Sequence, residues 1–216
     1  MAAGDAASVR LTALPDPATL GDWYDSIARP IPAPAGGSAS AIAGALAAAL
    51  VRLVAGLTLA RPQMAPAHAE AGAAAGRALV LQERLHALAL DDKSALEEFL
   101  TALALPRGTD AERVRRTEAR SAALHRAGMV QRSVLEFAVE AAELGAAMFE
   151  HGPRTAAGDA ATAVFLAAAA ARSAYWAARS DADEGGAGAA SVTADPKAKL
   201  ERAESVERAV RVRLEA

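Results

Sequence analysis

The sequence predicts an all-α fold, an antiparallel bundle of about five to six helices. Hydrophobic residues make up 53% of the 216 residues, yet aromatic residues make up only 4%. Two long segments, about 38–60 and 156–180, are rich in alanine, and no segment shows the alternating pattern typical of a strand. Small side chains let helix backbones approach closely. We therefore expect two alanine-rich helices packed against each other at the centre of the bundle.

The composition argues against several classes of protein and several kinds of site. The formal net charge of −3 offers no basic surface for nucleic acid or an anionic membrane. The chain has no cysteine, which excludes disulfides and thiolate metal sites. Its histidines (His68, His86, His125 and His151) lack the spacing of metal ligands, so we expect no metal site. The first residues lack the basic start and apolar stretch of an export signal, and we expect a cytoplasmic protein.

The chain divides into a short tail and a single domain. Residues 1–15 read as a flexible tail, and residues 16–216 form one helical domain with a flexible, glycine-rich loop at 182–196. In the turn before the fourth predicted helix, Thr109 or Asp110 is suited to cap that helix. Apolar residues at helical spacing predict helices at about 16–28, 38–60, 66–103, 110–150, 155–181 and 196–214.

A proline-glycine turn precedes the first alanine-rich helix. Prolines at alternate positions from 30 to 34 force an extended backbone, and Gly36 and Gly37 follow. Ser38 is then placed to act as the N-cap of the helix. Such a helix start exposes backbone N–H groups that can bind an anionic or carbonyl-bearing ligand. The alternative is that these residues only define the start of the helix and bind no ligand.

The helix after this turn is apolar enough to raise the question of a membrane. Arg52 lies in its middle, alanine is a weak driver of insertion, and no second segment is comparably rich in leucine, isoleucine and phenylalanine. We therefore predict a buried central helix and no membrane partner.

Several motifs resemble those of a known family. The stretch PAPAGGSASAIAGALAAALVRLVAGLTL resembles a signature of the cyclodeaminase domain of formiminotransferase-cyclodeaminase, shared by bacterial methenyltetrahydrofolate cyclohydrolases. Asp92, in LDDKSALEEFLTALALP, matches the aspartate of a second family element. Asp159, in AAGDAATAV, and Arg172 match an aspartate and a basic position further on. These matches span about residues 20–181 in the family's order.

The resemblance implies a tetrahydrofolate substrate, no cofactor beyond it, and a homodimer with the site near the subunit interface. It places a site where the glycine turn, Asp92, Asp159 and Arg172 converge. Asp92 and Asp159 would be catalytic, whereas Gly36–Ser38 and Arg172 would bind substrate. A carboxylate among apolar helix faces has a raised pKa, which suits Asp92 to proton transfer. The alternatives are a solvated carboxylate at Asp92, a helix cap at Asp159 and a buried structural ion pair at Arg172.

Other family positions differ in this chain. Asparagines of the family motifs are replaced by Gly56, Pro153, Thr155 and Ala177. Amide side chains are suited to hydrogen-bond a pterin ring, so the loss of these amides leaves open whether the chain binds the family's folate substrate. Two functions therefore remain open. One is a folate-dependent one-carbon enzyme of the cyclodeaminase or cyclohydrolase type, and the other is a non-catalytic helical dimerisation or small-ligand-binding module.

Overall fold

A computed structural model describes residues 16–30, 34–185 and 194–216 of the chain. Every regular element within these ranges is helical, which confirms the predicted all-α fold. Two short 3-10 turns, Pro62–Ala67 and Arg154–Ala156, precede the third and fifth α-helices. The α-helices are α1 (Leu20–Ile27), α2 (Gly36–Leu59), α3 (His68–Leu103), α4 (Asp110–His151), α5 (Ala157–Gly185) and α6 (Ala194–Glu215).

The four long helices α2 to α5 pack around one core, and α6 lies along α4 and α5. Short connections make consecutive long helices antiparallel. Arg77 of α3 pairs with Glu140 of α4 at 2.5 Å, and Lys199 of α6 pairs with Glu136 of α4 at 2.5 Å. These charged pairs lie on the outside of a core made mostly of alanine, valine and leucine.

The alanine-rich helices α2 and α5 pack against each other, as predicted. A methyl group added at Gly44 of α2 would lie 3.7 Å from the Cβ of Ala170 on α5 and 3.2 Å from both terminal methyls of Leu85 on α3. Ala47 and Ala167 are fully buried. Small side chains on both helices therefore set how closely their backbones approach.

Side-chain caps fix the beginnings of two helices. Thr19 caps α1 in a reciprocal capping box with Asp22, and Thr109 caps α4 in the same way with Glu112. The cap at Thr109 is one of the two predicted. Helix α1 starts later than the predicted residue 16, and it buries Trp23 while most of Tyr24 is exposed to solvent.

Two helix boundaries differ from prediction. Helix α3 starts at His68, because Pro66 lies in the 3-10 turn that precedes it. Helix α5 continues to Gly185 and α6 begins at Ala194, so both ends of the predicted loop 182–196 are helical. Good helix formers extend α5, and a proline is tolerated in the first turn of α6. The rest of that loop, 186–193, and the predicted tail 1–15 lie outside the described residues.

Within the described ranges, α2 is the one helix whose length and apolar composition are compatible with crossing a membrane. In this fold it packs against α3, α4 and α5. The core helix of a bundle has the same composition as a membrane span when its neighbours are also apolar.

Enlarging a buried alanine should destabilise the bundle. We expect Ala167→Leu, like Ala47→Leu, to lower the free energy of unfolding by about 1–3 kcal/mol, because both sites lack room for added methylenes. Ala169→Leu is the control, since Ala169 is exposed on the same helix, and its effect should stay within about 0.5 kcal/mol. Urea unfolding measures all three. Equal stability of the Ala167 and Ala169 variants would contradict the close packing of α2 on α5.

Candidate functional site

A buried carboxylate of α3 packs against the start of α2. Asp92, in the middle of α3, is 8% exposed. Its Oδ2 accepts a hydrogen bond from the Ser38 hydroxyl at 2.8 Å, and its Oδ1 accepts one from the Gln131 side-chain amide at 2.5 Å. Three helices, α2, α3 and α4, thus each contribute one polar side chain to a single buried cluster.

The position of Ser38 differs from prediction. Helix α2 begins at Gly36, its N-cap residue is Ala35, and no side chain caps it, so the N-cap role predicted for Ser38 is wrong. Ser38 lies in the first helical turn, and its hydroxyl is directed away from its own helix end towards α3. Its backbone N–H also helps to lower the pKa of the Asp92 carboxyl, although less than burial raises it. The helix start thus directs a backbone donor towards an anionic group, which belongs to the protein itself.

Gly37 allows this close approach. A Cβ at position 37 would overlap the Asp92 carboxylate and the Gln131 amide nitrogen. Gly36, by contrast, has open space where its Cβ would lie. The packing of the site therefore requires a glycine at position 37, but it does not require one at position 36.

Burial raises the pKa of the Asp92 carboxyl above its ordinary value, and the hydrogen bonds from Ser38 and Gln131 only partly oppose that rise. The neighbouring Asp91 is exposed. The alternative interpretation of Asp92 as a solvated carboxylate is therefore wrong for this fold. A carboxyl with a raised pKa and hydrogen-bond partners on both oxygens is suited to accept and return a proton.

Gln131 was not predicted as a site residue. Its side chain is 1% exposed, and its Oε1 has no hydrogen-bond partner among the described residues. The available signal was its spacing, since Gln131 falls on the buried stripe of α4 with Val134 and Ala138. A polar residue on such a stripe needs a buried partner, and here that partner is Asp92.

Lys93 was also missed. Its side chain is 4% exposed and pairs with Asp16 at 3.1 Å and Glu97 at 3.2 Å. Burial alone would lower the pKa of Lys93, but its hydrogen bonds to the two carboxylates leave that pKa raised. Helix α3 continues without a break through the charged residues at 91–93. The buried acid Asp92 and the buried base Lys93 are consecutive residues of this helix, and their side chains point in different directions.

Arg172 does not reach Asp92. It donates to Glu204 at 3.2 Å and Glu207 at 2.9 Å, both on α6, and so joins α5 to α6. The hydrogen bond with Glu207 is the main reason why the pKa of Arg172 is raised. The structural ion pair considered as the alternative is present, although the side chain is 42% exposed rather than buried.

Asp159 lies at the other end of the bundle. It is exposed in the first turn of α5. That turn lies beside the end of α2, because Arg61 donates to Thr155 at 3.0 Å. Asp92 lies at the beginning of α2, which is 24 residues and therefore about 36 Å long. The predicted convergence of Asp159 and Arg172 with Asp92 within one chain is therefore wrong.

A surface groove of about 640 Å³ runs between α3 and α4 and starts near the buried cluster. Ser94, two residues after Asp92, is at one end of this groove, and Glu98 and Arg126 form a salt bridge across it. Asp92 does not itself line the groove. Within the described ranges, no group of three histidine or carboxylate side chains is arranged to hold a metal ion.

Adding a methyl group at Gly37 should disrupt the site. We expect Gly37→Ala to cost about 1–3 kcal/mol of unfolding free energy, because Asp92 or Gln131 must move away from its hydrogen bond. Gly36→Ala is the matched control and should be neutral or stabilising by up to about 1 kcal/mol, since the site is open and helical. Chemical denaturation of both variants measures the difference. A Gly37 variant as stable as the Gly36 variant would show that the approach is looser than described.

Comparisons with known proteins identify the family of the chain. The family model described as formiminotransferase-cyclodeaminase matches residues 19–183. The chain is 31% identical over 156 residues to a protein named methenyltetrahydrofolate cyclohydrolase from Methylorubrum extorquens, covering 72% of this chain and 75% of that protein.

A solved structure has the same fold. The crystal structure of formiminotetrahydrofolate cyclodeaminase from Thermotoga maritima superposes with a TM-score of 0.74 at 21% identity, covering 89% of this chain and 91% of that one. The family match spans α1 to α5 and includes the turn, Asp92 and Gln131. The chain therefore belongs to the formiminotransferase-cyclodeaminase family.

Proposed function

We propose that this protein is a cytoplasmic, folate-dependent one-carbon enzyme that uses Asp92 to transfer a proton at the one-carbon unit. The observation that carries the proposal is the buried Asp92 carboxyl, held by Ser38 and Gln131 at the start of α2. The preferred reaction is the hydrolytic opening of 5,10-methenyltetrahydrofolate. The relative from Methylorubrum extorquens, named as a cyclohydrolase, supports that preference.

The reaction needs one proton acceptor and one proton donor. Water adds to the methenyl carbon and loses its first proton, which leaves a hydroxyl group on that carbon. The hydroxyl then loses the second proton as the formyl C=O forms, the bond from the carbon to N5 breaks, and N5 receives a proton. Formation of 10-formyltetrahydrofolate therefore releases one proton to solvent overall. A single carboxyl group of raised pKa can take the first proton and return one to N5. In the cyclodeaminase direction N10 attacks the formimino carbon and ammonia leaves. The demands on the carboxyl group are the same.

The second candidate function is a non-catalytic helical module that dimerises or binds a small ligand. The observation that favours it is the replacement of the family's asparagines by Gly56, Pro153, Thr155 and Ala177. A pocket that has lost amide donors and acceptors leaves the polar edge of a pterin ring unpaired, which weakens its binding. Turnover of a folate by the purified protein separates the two functions.

Asp92→Asn should abolish most of the activity. The amide keeps the shape of the carboxyl group but cannot accept a proton, so we expect a loss of about 10²–10⁴-fold in kcat with stability little changed. Asp91→Asn is the matched control, because Asp91 is the exposed neighbour on the same helix, and it should retain nearly full activity. The decay of the long-wavelength methenyltetrahydrofolate absorbance measures both rates. Equal activity of the two variants would remove Asp92 from the mechanism, and an inactive wild type would favour the non-catalytic module.

We also propose that the protein is a homodimer whose sites are shared between subunits. Helices α2 and α3 carry large apolar side chains that are exposed, Leu46, Leu53, Leu79 and Val80, each 38–47% exposed, and we propose that they belong to the subunit interface. The residues matched to the family lie at opposite ends of one chain, with Asp92 at one end and Asp159 at the other. A twofold interface between antiparallel copies of these two helices would bring each Asp92 towards the Asp159 end of the other subunit.

Mixing two inactive variants tests the shared site. Asp92→Asn and Asp159→Asn homodimers should each be inactive. An equal mixture, dissociated and reassembled, should recover about one quarter of wild-type activity, because half of the dimers are mixed and each holds one intact site. Light scattering should give about twice the 21.9 kDa chain mass. A monomer at micromolar concentration, or no recovery on mixing, would overturn the shared site.

A further inference from the structure

The Ser38 hydroxyl faces two acceptors with a single proton. Its oxygen lies 2.8 Å from Asp92 Oδ2 and 3.0 Å from the backbone oxygen of Ala89, one turn earlier on α3. A serine hydroxyl can donate only one hydrogen bond at a time, although it can also accept. A backbone carbonyl oxygen cannot donate. Both contacts can therefore be full hydrogen bonds at the same time, without sharing one proton, only if Asp92 Oδ2 carries the second proton.

We infer that Ser38 is a positioning residue that keeps Asp92 hydrogen-bonded both with and without its proton, by turning its hydroxyl between Oδ2 and the Ala89 carbonyl. When Asp92 is ionised, Ser38 donates to Oδ2. When Oδ2 gains a proton, that O–H donates to the Ser38 oxygen, and Ser38 donates to Ala89. One O–H bond forms at Oδ2 and none breaks at Ser38, whose hydroxyl only rotates. The inference rests on the proposed function, in which Asp92 is the proton-transfer group.

Gln131 determines which oxygen carries the proton. Its amide donates to Oδ1 at 2.5 Å, and this bond can persist whether Asp92 is ionised or neutral. A proton on Oδ1 would face that N–H donor, whereas a proton on Oδ2 faces the Ser38 oxygen. With the Gln131 amide in this orientation, both oxygens of the neutral acid are hydrogen-bonded only when the proton is on Oδ2. In a buried cluster, a state that leaves a polar group unpaired is disfavoured.

Few charges surround this cluster. On α3, Asp91 is exposed and Lys93 is ion-paired, and on α4 Arg132 follows Gln131. The first charged residue on α2 is Arg52. On α5, Arg172 is paired with α6, and the last turns carry Arg179, which lies over the Trp176 ring, and Asp181. The titration of Asp92 is governed instead by its burial, which raises its pKa, and by its hydrogen bonds from α2 and α4. A change in those hydrogen bonds should therefore be visible in the titration.

The wild-type protein provides the first test, without substrate. With the chain labelled with ¹³C, the carboxyl carbon of Asp92 and the backbone carbonyl carbon of Ala89 are followed as a function of pH by NMR. We expect both resonances to titrate with one midpoint, because Ala89 gains a hydrogen bond when Asp92 gains its proton. An Ala89 resonance that does not change while Asp92 titrates would overturn the inference.

Variants of Ser38 provide the second test. Ser38→Ala should move the Asp92 titration to higher pH, by about a tenfold increase in proton affinity, because the ionised form loses a charge-assisted hydrogen bond. Ser38→Thr keeps the hydroxyl and should restore the midpoint. Ser40→Ala is the matched control, since Ser40 is also buried on α2 but donates to the Gly37 oxygen at 2.7 Å. An unchanged midpoint in Ser38→Ala, or an equal shift in Ser40→Ala, contradicts the inference.

Activity separates the inference from the proposed function. With methenyltetrahydrofolate as substrate, the midpoint of the pH–rate profile should move with the Asp92 titration in Ser38→Ala and return in Ser38→Thr. If the wild type turns over no folate but Asp92 and Ala89 titrate together, the proposed function fails and the role of Ser38 stands. If turnover depends on Asp92 but Ala89 does not titrate, the proposed function stands and the role of Ser38 fails.

Discussion

The hydrogen bond between Ser38 and Asp92 joins the start of α2 to α3. The types of the residues around this bond are constrained by it. An ionised or neutral carboxyl group buried at this depth must have its oxygens paired, since an unpaired buried polar group costs about 1–3 kcal/mol. Gln131 pairs the second oxygen from α4. Gly37 must lack a side chain for the three helices to approach this closely. One buried acid thus determines residue types on three helices.

The alanine-rich helices make such a cluster possible. Because α2 carries little side-chain volume, it lies against α3, α4 and α5 at once, and its N-terminal turn reaches polar groups on two of them. The same helix keeps its larger residues, such as Leu46 and Leu53, on the outer face. Alanines together with Val51 and Val54 therefore form the interior contacts of α2, and Leu46 and Leu53 belong to the surface proposed as the subunit interface.

The sequence was sufficient to predict the helices but not the partners of their polar side chains. Helical spacing located every long helix, and the local capping pattern identified Thr109, because both depend on residues a few positions apart. Ser38 was assigned by the same local logic, yet its side-chain partner Asp92 lies 54 positions away. Gln131 is 39 positions from Asp92, and Arg172 pairs with α6. Such contacts depend on how each helix is rotated about its axis. Resemblance identified Asp92 and the turn, but it could not show that Asp159 lies at the opposite end.

A core of alanine has a thermodynamic consequence of its own. Alanine loses no rotamer freedom when it is buried, but it also removes less apolar surface from water than leucine or phenylalanine would. The heat capacity change of unfolding grows with the apolar surface that unfolding exposes. A chain with 4% aromatic residues and central helices of alanine therefore unfolds with a small heat capacity change for its length. Its stability curve is correspondingly flat, so the bundle keeps a similar stability across a broad range of temperature.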